Sequence, residues 1–215
     1  MSESNAPSRV AILIETDGPG GAETMFLTLA EALRERGLEV LPVVLGGGAG
    51  WLSGRLRQSG FEVFQPKLRG AIDPSFVRTL RSWYRDRHVE LVHAHEFAMA
   101  FYGGLAALME HLPYVITMHG GTGYAKALRR RLALSFVAKR SRALVGVSEG
   151  TAEALAASLW VRRRKIKVVP NGVAKRPGNR EQTRATLGLA ADQRLLLSVG
   201  NLYPVKGHAF LVEAA

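Results

Sequence analysis

Five short stretches of the 215-residue sequence combine glycine, histidine and carboxylate residues that are suited to binding a phosphate or moving a proton. They are, in chain order, Gly18–Glu23, His93–Glu96, Thr117–Gly121, Val147–Glu149 and Pro170–Gly172. Glycine lets the backbone approach a ligand closely, and the amides at the start of a helix attract anions. Histidine and glutamate transfer protons near neutral pH. Each stretch alone also fits a tight turn or a packing role, but the five together favour a ligand site.

Each stretch follows a short apolar run that predicts a buried strand. An amphipathic helix follows the first run and begins near Gly21. The predicted strands span residues 10–14, 39–45, 61–64, 90–93, 114–118, 143–147 and 165–169, and the later helices span residues 51–59, 74–87, 97–110, 124–140 and 149–159. Strands that alternate with helices form a parallel sheet covered on both faces. We therefore predict an α/β, Rossmann-like domain over residues 1–172, with its ligand at the carboxyl ends of the strands.

A second unit begins after a polar linker. We assign residues 173–193 to this linker, because Pro177 and Gly178 interrupt regular structure there. Residues 194–199 predict a new apolar strand, and a helix follows from about Val205. We expect residues 194–215 to be the first strand and helix of an incomplete, truncated second domain.

Composition limits the class of protein. The chain has no cysteine, 47% hydrophobic residues and a net charge of +11. Its polar start and the absence of a long apolar run favour a cytoplasmic protein. Residues 120–170 carry 12 Lys or Arg against 2 Asp or Glu, whereas residues 1–119 carry 11 against 13. This block suits an anionic partner, and its proposed membrane- or anion-docking residues are Lys126, Arg129, Arg130 and Arg131.

Taken together, the five stretches resemble the N-terminal half of the retaining glycosyltransferases of the GT-B fold, glycosyltransferase family 4. The order Gly-Gly-Ala-Glu, His-Ala-His, Thr-x-His-Gly, Val-Ser-Glu and Val-Pro-Asn-Gly-Val is that of the family. The segment Val199–Leu202 with Lys206-Gly207 resembles the start of the family's donor-binding domain. The Gly18–Glu23 turn lacks the third glycine of the dinucleotide fingerprint, which makes a nicotinamide cofactor a poor fit.

The resemblance implies transfer of a sugar, with retention, from a nucleotide-diphosphate donor to a hydroxyl acceptor. It implies no cofactor besides this co-substrate, no metal, and a glycan or lipid-linked acceptor. Such enzymes synthesise glycans, polysaccharides or glycolipids, and the basic block would place this protein at the inner face of the membrane. The implied roles are catalysis by His119, phosphate binding by Gly20, Gly21, Asn201 and Lys206, and an acceptor-side or cleft position for His95, Glu96, Ser148, Glu149 and Asn171.

Two departures from the family pattern matter. The family commonly has an arginine at the position of Asn201, which has no charge. The family's two glutamates, separated by seven residues, belong further into the second domain than Ala215. Glu15 and Glu23 happen to have that spacing, as do Glu31 and Glu39, but both pairs lie in the first domain, and we interpret both matches as coincidence. We expect the chain to be inactive alone.

Three other interpretations remain. A non-enzymatic module for acceptor or membrane docking would need no second domain. A metal-dependent hydrolase could use His93, His95 and His119, since alternate residues of a strand share a face. An RNA-binding protein would suit the basic charge, but no RNA-binding motif and no aromatic platform accompany the basic residues. We therefore expect no nucleic-acid partner.

Overall fold

The structure is a computed structural model that describes residues 7–46, 50–120, 127–173, 177–200, 202 and 204–215. The chain divides into two compact units, Met1–Gly172 and Val173–Ala215. The strands of the first unit are β1 (Arg9–Ile14), β2 (Glu39–Val44), β3 (Leu91–His95), β4 (Tyr114–Met118), β5 (Ala143–Gly146) and β6 (Ile166–Val168). Its helices are α1 (Gly21–Glu35), α2 (Trp51–Gln58), α3 (Pro74–Asp86), α4 (Phe97–Met109), α5 (Leu128–Arg140) and α6 (Glu149–Leu159).

The six strands form one parallel sheet in the order β2-β1-β3-β4-β5-β6. His95 of β3 is paired with Thr117 of β4, so these two strands end side by side. The sheet confirms the predicted α/β, Rossmann-like fold. It also brings the polar residues after β1, β3 and β4 to one edge, because parallel strands share the direction of their carboxyl ends.

Alternate residues of β1 pack into two separate cores, one on each face of the sheet. Val10, Ile12 and Ile14 lie with Phe26 of α1 and with apolar residues of α2. Ala11 and Leu13 lie with apolar residues of α3, α4, α5 and α6. Side chains alternate across a strand, so a strand buried on both faces reads as a continuous apolar run. This is why the sequence of β1 was sufficient to predict its burial.

The predicted strand over residues 61–64 is wrong. Only Phe64 forms a bridge, with Val43 of β2. Phe64 donates its amide to the Pro42 carbonyl, and the next amide that would continue the ladder belongs to Pro66, which has no N–H.

The second unit contains α7 (Arg180–Thr186), a 3-10 turn over Pro204–Lys206, and α8 (His208–Ala214). The predicted strand over residues 194–199 is not formed. Leu195, Leu196 and Leu197 are exposed, and the described part of this unit contains no strand with which they could pair. A strand is stable only when neighbouring strands satisfy its backbone and cover its side chains. Within the described residues of both units, no helix has the length and apolar character needed to cross a bilayer.

Candidate functional site

Five polar side chains meet where β1, β3 and β4 end. Glu15 directly follows β1. His95 is the last residue of β3, and Glu96 comes directly after it. His119 directly follows β4, and Glu23 lies in the first turn of α1. We call these residues the carboxyl-edge cluster. The sequence predicted His95, Glu96 and His119 as site residues, and the structure places all three here.

The histidines of this edge form two hydrogen bonds. His95 Nδ1 lies 2.8 Å from His119 Nε2, and the two rings are stacked with centroids 5.1 Å apart. His93 Nε2 lies 2.8 Å from the hydroxyl of Thr117. Burial lowers the pKa of His93 to about 4, and burial also lowers the pKa of His95 and of His119. All three rings are therefore neutral at pH 7.

Glu96 is held in an unusual backbone conformation. Its φ of 63° and ψ of −179° lie in a region that glycine adopts and other residues rarely do. Such a conformation costs about 1–3 kcal/mol and is found mostly at functional sites. A Glu96 carboxylate oxygen accepts a hydrogen bond from the His119 backbone N–H at 3.2 Å. Burial, together with the charges of Glu15 and Glu23, raises the pKa of Glu96 to about 7.

Glu15 joins the cluster at the start of α4. Its carboxylate accepts the backbone N–H of Ala98 at 2.5 Å, and burial raises its pKa. The positive charge of Arg130 acts in the opposite direction and lowers the pKa of Glu15. The sequence did not identify Glu15 as a site residue. The available signal was its position directly after β1, where side chains reach the carboxyl edge.

The Glu23 side chain occupies the space beside Gly20. The Glu23 carboxylate accepts a hydrogen bond from the Thr16 hydroxyl at 2.5 Å and lies against Gly20. A Cβ atom on Gly20 would stand only 2.3 Å from a Glu23 oxygen, whereas one on Gly21 would meet open space. Gly20 is the N-cap of α1 and Gly21 its first residue, so both lie at the positive end of the helix.

Two of the other predicted site residues make local contacts. Ser148 caps α6 by accepting the Thr151 N–H at 3.1 Å. Glu149 forms an ion pair with Arg163. Asn171 is exposed after β6. Lys206 is exposed in the second unit. The predictions for Asn201 and Lys126 fall outside the described residues.

The three consecutive arginines of α5 have different surroundings. Arg129 is exposed. The Arg130 guanidinium lies 5.6 Å from the centre of the Phe97 ring. Arg131 donates to the Ser158 carbonyl at 2.9 Å and lies 4.1 Å from the centre of the Trp160 ring. Arg130 and Arg131 therefore make contacts within the domain that the charge count did not anticipate.

An exposed apolar stripe runs along α5 beside these arginines. Leu128, Leu132 and Phe136 are four residues apart and are 62%, 54% and 44% exposed. Nearby, an open pocket of about 540 Å³ is lined mainly by basic side chains; its residues are Lys139, Trp160, Val161, Arg162, Arg164 and Lys165. The sequence predicted a basic face here but neither the stripe nor the pocket.

Residues 19–175 match the family model described as Glycosyltransferase Family 4. This match covers more than half of the sequence and contains the whole carboxyl-edge cluster except Glu15. The chain belongs to glycosyltransferase family 4. The predicted resemblance is thereby confirmed.

Curated relatives agree with this assignment. A D-inositol 3-phosphate glycosyltransferase of Acidothermus cellulolyticus is 31% identical over 149 residues, which are 62% of this chain and 32% of that protein. One from Kineococcus radiotolerans is 28% identical and aligns with 100% of this chain and 58% of its own length. The putative teichuronic acid biosynthesis glycosyltransferase TuaC of Bacillus subtilis is 33% identical over 70% of this chain. The chain spans about half, or less, of the length of these relatives.

Solved structures share the fold. Anabaena Alr3699/HepE, in complex with UDP and glucose, has a TM-score of 0.76 at 20% identity. The match covers 96% of this chain and 57% of that one. A glycosyltransferase from Rickettsia africae has a TM-score of 0.72 at 18% identity. These likenesses support the predicted N-terminal fold of a GT-B protein.

The histidines of the edge do not form a metal site with other side chains. Among the described residues, no group of three or more His, Asp or Glu side chains is placed to hold one ion. His93 bonds to Thr117, and His95 bonds to His119. The observed contacts thus give no support to the alternative of a metal-dependent hydrolase.

Proposed function

We propose that this chain supplies the acceptor-side half of a retaining glycosyltransferase that uses a nucleotide-diphosphate sugar. The observation that carries the proposal is the carboxyl-edge cluster around His119, built within a domain of glycosyltransferase family 4. Structures of the related fold hold UDP, with glucose or as UDP-glucose, which supports a nucleotide-sugar donor. No further cofactor enters the proposal.

The chemistry of transfer fits the groups at this edge. Negative charge develops on the departing diphosphate, and amides at a helix start stabilise such charge. The start of α1 at Gly20 and Gly21 would serve this purpose, and the Glu23 carboxylate would move aside as the diphosphate approaches. Lys206 stays a proposed phosphate-binding residue. His119 would bond to the sugar.

Glu96 is the group best suited to the acceptor. Its pKa of about 7 allows it to exist in both protonation states near neutral pH. A carboxylate accepts a hydrogen bond from an acceptor hydroxyl, and a carboxylic acid can donate one. His95, Ser148, Glu149 and Asn171 stay proposed members of this side of the cleft.

We further propose that α5 places the protein at an anionic membrane surface, on the cytoplasmic side. The exposed stripe of Leu128, Leu132 and Phe136 beside basic residues is typical of helices that lie in the membrane interface. A lipid-linked or glycan acceptor would be reached from such a surface. A docking module without catalysis is the second candidate function, because the same stripe would support it.

Transfer requires more than the described chain. The first unit offers one sheet domain, and the described residues of the second unit form two short helices and a 3-10 turn without a strand. We therefore expect no sugar transfer from the 215 residues alone. Turnover of a nucleotide sugar by the purified chain at about 1 per second, an ordinary enzyme rate, would contradict this expectation.

A chimera tests the catalytic role directly. Residues 1–172 would be joined to the donor-binding half of the Kineococcus relative, and transfer from UDP-glucose and other nucleotide sugars measured. We expect His119→Ala to lower kcat about 10²–10³-fold, as loss of one well-placed hydrogen bond does. His111→Ala, at an exposed histidine of the same unit, is the matched control and should leave kcat unchanged. Equal kcat values for both variants would show that His119 has no catalytic role. That result would favour the second candidate function, a docking module without catalysis.

A further inference from the structure

The two histidines of the carboxyl-edge cluster share one hydrogen bond, which couples the positions of their ring protons. His95 Nδ1 and His119 Nε2 are 2.8 Å apart. A neutral imidazole carries one proton on one of its two nitrogens. Two neutral rings hold two protons, and one of these protons lies in the hydrogen bond between them.

The second proton lies on one of the two outer nitrogens, His95 Nε2 or His119 Nδ1. Both atoms are buried, and within the described part of the chain neither has a hydrogen-bond partner. If His119 donates to His95, its own Nδ1 is a bare acceptor. If His95 donates, His119 Nδ1 carries the proton and is a donor. The tautomer of His95 thus decides what His119 offers to a ligand.

The surroundings of the pair favour His95 as the donor. His95 is only 2% exposed and lies between the Phe26 and His93 rings, with centroids 5.3 and 4.4 Å away. A buried N–H without an acceptor is rarer in proteins than a buried acceptor without a donor. His119 is partly exposed whereas His95 is not, so the outer proton is less costly on His119 than on His95 Nε2. The negative charge of Glu23 opposes the lowering of the His119 pKa by burial, so it favours a proton on the His119 ring.

We propose that His95 is a positioning residue that donates its Nδ1 proton to His119 Nε2 and thereby makes His119 Nδ1 a hydrogen-bond donor. His95 itself contacts no substrate. The consequence for catalysis rests on the proposed function: His119 would donate a hydrogen bond to an oxygen of the sugar donor and would not be a base for the acceptor hydroxyl. No covalent bond changes, and the proton stays within the pair.

Nuclear magnetic resonance tests the tautomers without any sugar. In the 15N-labelled 215-residue chain, long-range proton–nitrogen correlations distinguish protonated from bare ring nitrogens. We expect both His95 and His119 to be protonated at Nδ1 and bare at Nε2. We also expect a nitrogen–nitrogen coupling across the bond from His95 Nδ1 to His119 Nε2. A proton on His119 Nε2 in the unmodified chain would overturn the proposal.

Two substitutions separate hydrogen bonding from packing. His95→Asn keeps an amide N–H near the position of Nδ1 and should preserve the His119 tautomer. His95→Phe keeps a ring but has no donor, and should shift the proton of His119 away from Nδ1. His93→Phe changes a ring that also contacts His95 but does not bond to His119, so it should leave the His119 spectrum unchanged.

The outcomes distinguish this proposal from the proposed function. An unchanged His119 tautomer in folded His95→Phe, verified by the backbone amide spectrum, would show that His95 does not position it. If that variant does not fold, the His119 tautomer in the unmodified chain and in His95→Asn still tests the proposal. These spectra require neither a sugar donor nor an acceptor. An inactive chimera would therefore not contradict the tautomer proposal, and a proton on His119 Nε2 would not contradict glycosyl transfer by the chimera.

Discussion

At the scale of single residues, the Glu23 carboxylate occupies the space that a side chain at position 20 would fill. Gly20→Ala should displace this carboxylate from Thr16 and lower the free energy of unfolding by about 1.5–3 kcal/mol, the range for a hydrogen bond to a charged group. Gly21→Ala is the matched control. The added methyl group would meet open space, and the variant should stabilise the start of α1 slightly, since alanine is a better helix former than glycine.

Urea unfolding of both variants measures these effects. The Glu23→Ala background isolates the cause, because without the carboxylate the cost of Gly20→Ala should fall to that of a changed N-cap. An equal cost of Gly20→Ala in both backgrounds would mean that Glu23 is not the reason for the glycine.

Glu96 should make the stability of the domain depend on pH. Its folded pKa of about 7 exceeds the ordinary value of 4.5, so the folded state binds more protons between these values. Stability is therefore lost as the pH rises through this window, and the full cost is present above pH 7. Glu96→Gln should raise the free energy of unfolding by about 3 kcal/mol at pH 8 and by less than about 1 kcal/mol at pH 5.

Denaturant titrations at the two pH values measure the difference. Glu153→Gln, at an exposed glutamate of α6, is the control for the same substitution outside the carboxyl-edge cluster. A Glu96→Gln effect of the same size at pH 5 and pH 8 would contradict a raised pKa.

The sequence predicted the residues of this site better than their interactions. His95, Glu96 and His119 could be identified because each ends or follows an apolar run. Their hydrogen bonds depend on the register of β3 against β4, which pairs His95 with Thr117 and which no local pattern specifies. Glu15 and Glu23 also lie at this edge, and no local pattern predicted that they would.

At the scale of elements, α5 combines two properties that the charge count alone could not separate. Leu128, Leu132 and Phe136 form its exposed stripe, while Arg130 and Arg131 are engaged with Phe97 and Trp160. Helical spacing indicates that a stripe shares one face, but it does not say whether that face meets the core or solvent. Only the packing of the neighbouring helices decides this.

The stripe leads to a prediction for vesicle binding. The chain should bind vesicles of phosphatidylcholine and phosphatidylglycerol more tightly than phosphatidylcholine alone, and salt should weaken this binding. Replacing Leu128, Leu132 and Phe136 with serine should reduce binding to both, at least tenfold, because each apolar side chain contributes about 1.5–3 kcal/mol when buried.

Co-sedimentation measures the bound fraction. Met109→Ser, at a half-exposed apolar residue of α4, is the control and should have little effect. Binding that does not change in the triple variant, or that is equal for both vesicle types, would exclude α5 as the docking element.

At the scale of the whole molecule, the two units differ in whether they have a core. The first unit has a core on each face of its sheet, whereas no described residue of the second unit is buried. The alternation of strands and helices was enough to predict the first unit, since its parallel sheet is complete within it. The apolar run over residues 194–199 has the composition of a strand, but composition cannot supply the neighbouring strands that a sheet requires.

The last prediction follows from this difference. A chain that ends at Gly172 should keep the unfolding midpoint of the full chain, because all of the described core lies before that residue. It should also be more soluble, since exposed apolar side chains such as Leu197, Val199 and Phe210 promote association. In the full chain, amide hydrogen exchange should be slow in β1 and β4 and fast from residue 177 onward. Two results would show that the second unit contributes a core of its own. In a monomeric chain, the amides of residues 195–199 would be as protected as those of β1, or the shortened chain would have a clearly lower unfolding midpoint.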